Sequence, residues 1–259
     1  MGWVLNPKKC YTGFVPTESC VCNCIIHNNW NLWSELYIFL KSISLEDIEE
    51  KWKNGYYITD IAYGGETDKW FVTFSKINYT HQLWRTRYKR ADLLESMSQM
   101  WTDNPNYSIT HVSFENGLWV MVGSEGSGLG HQYVIKSDEF PDEDICSYWV
   151  KNYYVTSMAY GEAGWIVVLT TGVKFANQRY KVYDSWDHTK IYSQKDEGFC
   201  LSAVVKSKGK WYAILDKDNG MEKFDYKAAG ELIPSTGISS FWDKGFSIYR
   251  TIFIPGASQ

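Results

Sequence analysis

The chain has 259 residues, of which 44% are hydrophobic and 22% charged, and its net charge is −4 at pH 7. These values exclude a disordered chain, which could not bury this much apolar surface, and they do not favour nucleic acid, which needs a basic footprint. No segment approaches the roughly 20 apolar residues that span a bilayer, and the N-terminus lacks the apolar core of a signal peptide. We therefore expect a single cytoplasmic domain over residues 1–259 that does not associate with membranes.

At the N-terminus, residues 3–5 form a short apolar segment that begins with a tryptophan. In four later copies the tryptophan follows a turn and a strand-like segment that alternates at period two. These copies start at Trp70, Trp119, Trp165 and Trp211. The N-terminal copy has no strand before it, and the C-terminal strand-like segment 248–254 has no second strand after it. We predict that the two termini share one sheet.

Residues 6–33 are predicted to be an insertion into that shared sheet. In four repeats a Gln or Glu beside an aromatic residue follows the tryptophan after 13 to 15 residues, whereas from Trp3 to Tyr37 the spacing is 34. These pairs are Gln82 with Trp84, Gln132 with Tyr133, Gln178 with Tyr180, Glu222 with Phe224, and Glu35 with Tyr37. Trp30, Trp33 and His27 would give the insertion a contact surface. Deleting residues 16–29 should then leave the fold intact and remove a partner.

Four of the six cysteines fall in the predicted insertion. Cys20, Cys22, Cys24 and His27, with Cys10 upstream, supply enough thiolate and imidazole for a tetrahedral zinc site. The Cys-x-Cys-x-Cys spacing is not that of a zinc knuckle, however, because alternate residues of a strand point the same way without converging on one ion. Disulfides and free thiols in an apolar loop are the alternatives. We predict no cofactor.

From residue 52 the chain consists of repeats. Their aliphatic anchors are Ile58, Ile109, Val155, Leu201 and Ile248, at steps of 51, 46, 46 and 47 residues. This is the length of one four-stranded propeller blade. Period-two alternation and the content of Tyr, Val, Ile and Thr favour strands over a helical solenoid. We predict an all-β, five-bladed β-propeller whose termini share the closing blade. Fourth strands are expected near residues 43–51, 93–100, 144–149, 190–194 and 237–242. The first two of these segments could also be short helices, since periodicity alone does not settle short runs.

The segments YYITDIAYGGETDKWFVTFSK and NYYVTSMAYGEAGWIVVLTTGVKFANQRYKVYDSW carry a family resemblance. They resemble the tandem repeats that follow the catalytic domain in plant casein kinase I-like proteins. The resemblance implies a propeller-like repeat domain to which no catalytic role is attached. The kinase part has no counterpart here, since the V-A-I-K, H-R-D and D-F-G motifs are all missing.

The position two residues after each anchor varies most among the repeats, and equivalent residues of a closed ring lie at similar depth around its channel. These residues are Asp60, His111, Ser157, Ala203 and Arg250. They could bind a small polar ligand or simply line a solvated channel. A propeller glycosidase would need paired carboxylates, and Asp60 alone is available, so we expect no enzyme. The neighbouring Thr59, Thr110, Thr156 and Ser202 are expected to form hydrogen bonds between blades.

Residues 123–130 are rich in glycine, as a phosphate-binding loop would be. They lack the Lys-Ser/Thr ending of a P-loop, so a flexible hairpin is the better interpretation. This hairpin and the insertion should lie on one face of the ring. We therefore predict a protein-binding or scaffolding propeller, a subunit of a larger assembly, that uses this face. A carbohydrate-binding, lectin-like propeller is the alternative, because sugars stack on exposed aromatic rings.

Overall fold

The computed structural model describes residues 21–27, 35–42, 44–64, 68–173, 177–186, 188–217, 224–229 and 247–254. The fold is all-β, with short antiparallel sheets and a few helices, which confirms the predicted class. The strands are β1 (Val21–His27), β2 (Glu35–Leu40), β3 (Tyr57–Gly64), β4 (Lys69–Ser75), β5 (His81–Arg87), β6 (Tyr107–Glu115), β7 (Leu118–Glu125), β8 (Gln132–Ser137), β9 (Tyr154–Gly161), β10 (Gly164–Thr170), β11 (Asn177–Tyr183), β12 (Phe199–Ser207), β13 (Lys210–Lys217), β14 (Phe224–Ala229) and β15 (Ser247–Ile254). The helices are α1 (Leu45–Lys53), α2 (Arg90–Asp103), α3 (Asp142–Trp149) and α4 (His188–Asp196).

The described strands form five three-stranded sheets, divided between two compact units. The unit built from residues 1–77 and 221–259 contains the sheets β14-β1-β15 and β2-β4-β3. The unit built from residues 78–220 contains β5-β7-β6, β8-β10-β9 and β11-β13-β12. Each sheet is written in its spatial order, and its last strand carries an aliphatic anchor. We call this strand the first strand of the repeat, because it comes first in the repeated sequence. The central strand is called the middle strand, and the other edge strand is called the crossover strand.

The crossover strands correct the predicted order of strands within a repeat. Each was expected to pair with the middle strand just before it. Instead, β8 pairs with β10 and β11 with β13, so the chain leaves one sheet after its middle strand and adds an edge to the next. Residues 126–131 therefore pass between sheets, and the predicted hairpin is wrong.

Helices stand where fourth strands were expected. In α2, Leu93, Met97 and Met100 are buried, and their spacing of four and three residues places them on one helical face. At the start of α1 the hydroxyl of Ser44 accepts a hydrogen bond from the backbone N–H of Asp47 at 3.1 Å, a regular N-cap. Four of the predicted fourth strands are thus wrong, and the fifth, residues 237–242, lies outside the described residues. None of the described helices combines the length and apolar character needed to cross a membrane.

The sheet β14-β1-β15 brings the N-terminal and C-terminal parts of the chain together, as predicted. Its middle strand is β1, which pairs with β14 on one side and β15 on the other. The strand predicted at residues 3–5 lies outside the described residues. Because β1 falls within residues 6–33, that segment supplies the centre of a sheet and is not simply an insertion.

Each first strand has one extra residue directly after its anchor. In β6, Ile109 pairs with Gly123 and His111 with Val122, which leaves Thr110 as a β-bulge. The Thr110 hydroxyl lies 2.9 Å from the Ser124 hydroxyl and 3.4 Å from the Val122 carbonyl, both on the middle strand of the same sheet. The equivalent hydroxyls of Thr59, Thr156 and Ser202 make the same contact with their own middle strands. The expectation that these residues link neighbouring blades is wrong.

The glutamines of the crossover strands make the links between sheets. Gln132 accepts a hydrogen bond from the Ile109 N–H at 2.6 Å and donates one to the Ile109 carbonyl at 2.9 Å. Gln178 binds both backbone groups of Val155 in the same way, at 2.7 and 2.9 Å. In the other unit, Glu35 accepts from the Ile248 N–H at 2.9 and 3.0 Å. The two glutamines thereby satisfy both backbone groups of an anchor in the neighbouring sheet, and Glu35 satisfies the N–H of one.

The repeated tryptophans form the core beside these links. Trp119 packs on Phe114 with ring centroids 4.9 Å apart, and Trp165 packs on Tyr160 at 5.1 Å. Gly161 contacts the first of these pairs so closely that a Cβ there would lie 2.5 Å from the Trp119 ring. The tryptophans at the start of the middle strands therefore fill the space between neighbouring sheets, as the repeat pattern predicted.

Candidate binding groove

The predicted channel residues are buried in the structure. Asp60 in β3, His111 in β6 and Ser157 in β9 are 0%, 3% and 1% exposed. The Ser157 hydroxyl accepts a hydrogen bond from the Val112 N–H at 2.9 Å and donates to the Val112 carbonyl at 3.3 Å, so it joins β9 to β6. Arg250 lies in β15, and its side chain is outside the described residues. These three side chains do not line a solvated surface, and ligand binding by them stays a prediction.

The predicted cysteine cluster lies largely outside the described residues. Cys22, Cys24 and His27 are positions of β1, where Cys22 pairs with Phe253 and Cys24 with Thr251. Cys10, Cys20, Trp30 and Trp33 lie outside the described ranges. Within those ranges no three His, Cys, Asp or Glu side chains are arranged to hold a metal ion. The zinc, disulfide and free-thiol alternatives for this cluster therefore stay predictions.

A cavity of about 560 Å³ lies beside the glycine-rich crossover, within residues 78–220. We call it the glycine-loop pocket; its lining includes Trp101, Asn106, Tyr107, residues 126–131 and Gln132. Gly126 and Gly128 have φ values of +78° and +73°, a region that L side chains rarely adopt. The loop is tied down where the Gly130 N–H donates to the Thr171 carbonyl at 2.9 Å.

A larger cavity, of about 760 Å³, opens between α2 and α3. We call it the α2–α3 groove. The α2 wall consists of Leu94, Met97, Ser98 and Trp101, the floor is residues 132–136 of β8, and the α3 wall consists of Asp144, Ser147, Tyr148 and Lys151. Because β8 is an edge of its sheet, the floor of the groove is the edge of a β-sheet.

The alternation of β8 explains why the two helices flank this edge. Val134 packs against the cluster that includes Leu93 and Met97 of α2. Its neighbour Ile135 belongs to the cluster that includes Ile145 of α3. Successive residues of a strand point to opposite faces, so α2 covers one face of the sheet and α3 the other. The edge of β8 is left between them.

The two walls differ in chemistry. On the α3 side, Tyr133 stacks on Tyr148 with ring centroids 4.4 Å apart, and the Lys151 ammonium lies 4.9 Å from the centroid of the Tyr148 ring. Desolvation, with the Tyr133 hydrogen bond second, raises the pKa of Tyr148 to about 12, so its hydroxyl stays protonated at neutral pH. The α2 side is mainly apolar, and a hydrogen bond of 3.1 Å to the Tyr107 carbonyl fixes its Trp101 ring. The groove can therefore take apolar groups on one side and polar groups on the other.

One small residue distinguishes the crossover strand that forms the floor of this groove. Gln132 pairs with Thr170, and Gln178 pairs with Asp216 at the equivalent position of the next sheet. Two residues further on, β8 carries Val134, whereas the other crossover strands carry larger side chains there. These are Tyr37 in β2, Trp84 in β5 and Tyr180 in β11. The Tyr180 ring lies 6.3 Å from Trp149, the counterpart of Trp101, and its hydroxyl is 3.2 Å from Asp142 Oδ2.

Sequence spacing alone misses this difference because it aligns Tyr133, and not Val134, with Trp84 and Tyr180. The glutamine directly before Tyr133 is the residue that gives the correct alignment of the crossover strands. Counting two residues from each glutamine would have identified the small side chain.

Comparison with known proteins identifies a family and one relative of this chain. The family model described as "Domain of unknown function (DUF7477)" matches residues 85–255. The chain is also 26% identical over 172 residues to casein kinase 1-like protein HD16 of Oryza sativa subsp. japonica, outside its kinase part. This match covers 65% of the chain and 23% of the rice protein, so the chain corresponds to less than a quarter of that relative.

Proposed function

Because this chain belongs to the family described as a domain of unknown function (DUF7477), we propose its function from the geometry of its own surface. The chain is a non-catalytic protein-binding module that holds a segment of a partner protein in the α2–α3 groove. The observation that carries this proposal is the open groove of about 760 Å³, with an apolar wall on α2 and a polar, aromatic wall on α3. Partly exposed tyrosine and tryptophan rings next to polar groups are typical of protein interfaces.

We further propose that the five sheets are the blades of a five-bladed β-propeller, each with three strands and most with a helix. All five share the same strand order and the same bulge after the anchor. Within each unit, first strands of successive sheets lie side by side, as β6, β9 and β12 do. A ring of this kind is a rigid platform for grooves on its surface, which suits a scaffolding subunit of a larger assembly.

A matched pair of substitutions on α2 tests the proposed function. Ser98 is exposed and lines the groove, and its hydroxyl bonds to the carbonyl four residues before it. Thr102 is exposed on the same helix with the same type of bond, but it does not line the groove. Ser98→Arg therefore fills the groove with a charged side chain, and Thr102→Arg is the control.

The readout is affinity purification of the tagged chain from extract of its native cells. We expect the wild type and Thr102→Arg to retain the same stoichiometric partner, and Ser98→Arg to recover at least tenfold less of it. Equal recovery by all three proteins would show that the groove does not bind the partner.

A carbohydrate-binding role is the second candidate, and the glycine-loop pocket is the observation that favours it. The pocket places the Trp101 ring near Asn106 and His131, and sugars bind by stacking on such rings while their hydroxyls bond to polar groups. Washing the captured complex with a mixture of free sugars separates the two candidates. We expect the partner to stay bound; its release by sugar, together with loss of capture in Asn106→Ala, would favour the lectin.

A further inference from the structure

We propose that the partner segment is extended and adds to the edge of β8 as a fourth strand of the sheet β8-β10-β9. This inference rests on the proposed function of the α2–α3 groove and specifies the conformation of its ligand. An edge strand presents a row of backbone N–H and C=O groups that pair readily with another chain.

The floor of the groove is suited to backbone pairing. Residues 132–136 line it without interruption, and at about 3.3 Å per residue they form an edge of about 17 Å. The usable edge ends at Ser137, because its carbonyl accepts a hydrogen bond from Arg90 Nη1 at 2.8 Å. A segment of about five residues would therefore pair along β8.

The walls determine which side chains that segment carries. Alternate side chains of an added strand point toward opposite faces of the sheet, and here the faces are covered by α2 and α3. One set would meet the apolar wall of Leu94, Met97 and Trp101. The other set would meet Asp144 at one point and the ammonium of Lys151 at another. The ligand is thus an extended peptide in which apolar residues alternate with polar ones, including an acidic residue opposite Lys151.

The neighbouring crossover strand β11 carries larger side chains that bond to the helices on both faces of its sheet. Arg179 donates to Glu197 Oε2 at 2.8 Å and to Gln194 Oε1 at 2.5 Å, which ties β11 to α4 and the residue after it. On the other face the Tyr180 hydroxyl bonds to Asp142 of α3. In β8 the corresponding residues are Tyr133 and Val134, and Val134 packs against the α2 cluster without the ring and hydroxyl that Tyr180 extends to α3.

Val134→Tyr tests the inference because it puts into β8 the residue that β11 carries in the same register. The crossover strands β2, β5 and β11 accommodate a large aromatic residue at this position, so we expect the fold to tolerate it. Val182→Tyr is the matched control: Val182 is 41% exposed on β11 and does not line the groove. Thermal unfolding reports whether each variant is folded, and Ser98→Arg closes the same groove from the exposed face of α2.

The probe is a phage-displayed library of heptapeptides in which apolar and polar residues alternate. We expect selection on the full-length wild type to enrich peptides that bind Val182→Tyr equally well and bind Val134→Tyr and Ser98→Arg at least tenfold more weakly. No enrichment, or equal binding to the groove variants, would overturn strand addition in this groove.

N-methylation of the best peptide, one amide at a time, tests the extended conformation directly. In an added strand every second amide faces the partner edge, so methylation should weaken binding at least tenfold at alternate positions and have little effect between them. Tolerance at every position, or losses spaced three and four residues apart, would contradict strand addition. Those outcomes would not contradict the protein-binding proposal. That proposal fails separately if Ser98→Arg retains the native partner.

Discussion

One buried carboxyl departs from the pattern of the repeats. Among the described pairs, the middle strand carries a small hydroxyl residue opposite Glu35, Gln82 and Gln132, whereas β13 carries Asp216 opposite Gln178. Its carboxyl is fully buried, and Gln178 Nε2 donates to it at 2.6 Å. Desolvation raises the pKa of Asp216 to about 7, although hydrogen bonds from Gln178 and Ser202 act in the opposite direction. Asp216 is therefore a titrating group within the link between two sheets.

We expect this residue to make stability depend on pH. The folded-state pKa lies above the ordinary value of 3.8, so the folded chain holds a proton that the unfolded chain has released between about pH 4 and 7. Stability from this group is complete below pH 4 and is lost as the pH rises to 7, by up to about 4 kcal/mol. Asp216→Asn removes this titration and should flatten that part of the profile.

Urea unfolding of wild type and Asp216→Asn at pH values from 4 to 8 measures the difference. Glu143→Gln, which changes an exposed carboxylate of α3, controls for the loss of one negative charge. Parallel profiles for the wild type and Asp216→Asn would show that Asp216 is ionised in the folded chain throughout this range.

For individual residues, the sequence predicted which positions recur in the repeats better than it predicted what those residues contact. The anchors, the tryptophans and the glutamines were all recognisable as repeated residues, because each recurs at a regular spacing. What Gln132 bonds to was not recognisable, since its partner Ile109 belongs to the preceding sheet. The groove was not recognisable for the same reason, because the residues with which Val134 must be compared are distant in the chain.

At the scale of elements, the helices were the main difference from expectation. The segment from Leu93 to Met100 was assigned to a strand because the propeller blade calls for one. The spacing of its buried residues is helical, and local periodicity prevailed over the expected architecture. The first and middle strands were predicted well, because a turn joins them directly. The crossover strands were found but assigned to the wrong sheet, since periodicity does not identify a pairing partner.

The strand β1 changes what deletion of residues 16–29 should do. These residues include the whole middle strand of the sheet β14-β1-β15, which is the strand that β14 and β15 pair with in the described part of the chain. We expect the deleted chain to lose cooperative thermal unfolding, followed by circular dichroism. A chain that keeps the wild-type transition would instead restore the earlier interpretation of this segment as a dispensable insertion.

At the scale of the whole molecule, the features that recur account for the fold, and the proposed function depends on where the repeats differ. Bulges, glutamine links and buried tryptophans recur with little change and account for folding. Val134 departs from the repeat, and the groove lies where it does. Sequence reasoning placed the binding surface on the insertion and the glycine-rich crossover, because length and composition make loops conspicuous. A residue that is smaller than its counterparts in other repeats leaves no such mark.

Hydrogen exchange of the purified chain, measured alone and with the partner that the wild type captures, tests the central claim most directly. We expect slower exchange on binding in the three segments that line the groove, residues 94–101, 132–136 and 144–151, and unchanged exchange in β12 and β13. Protection confined to other segments, with these three unchanged, would contradict the assignment of the α2–α3 groove as the binding site.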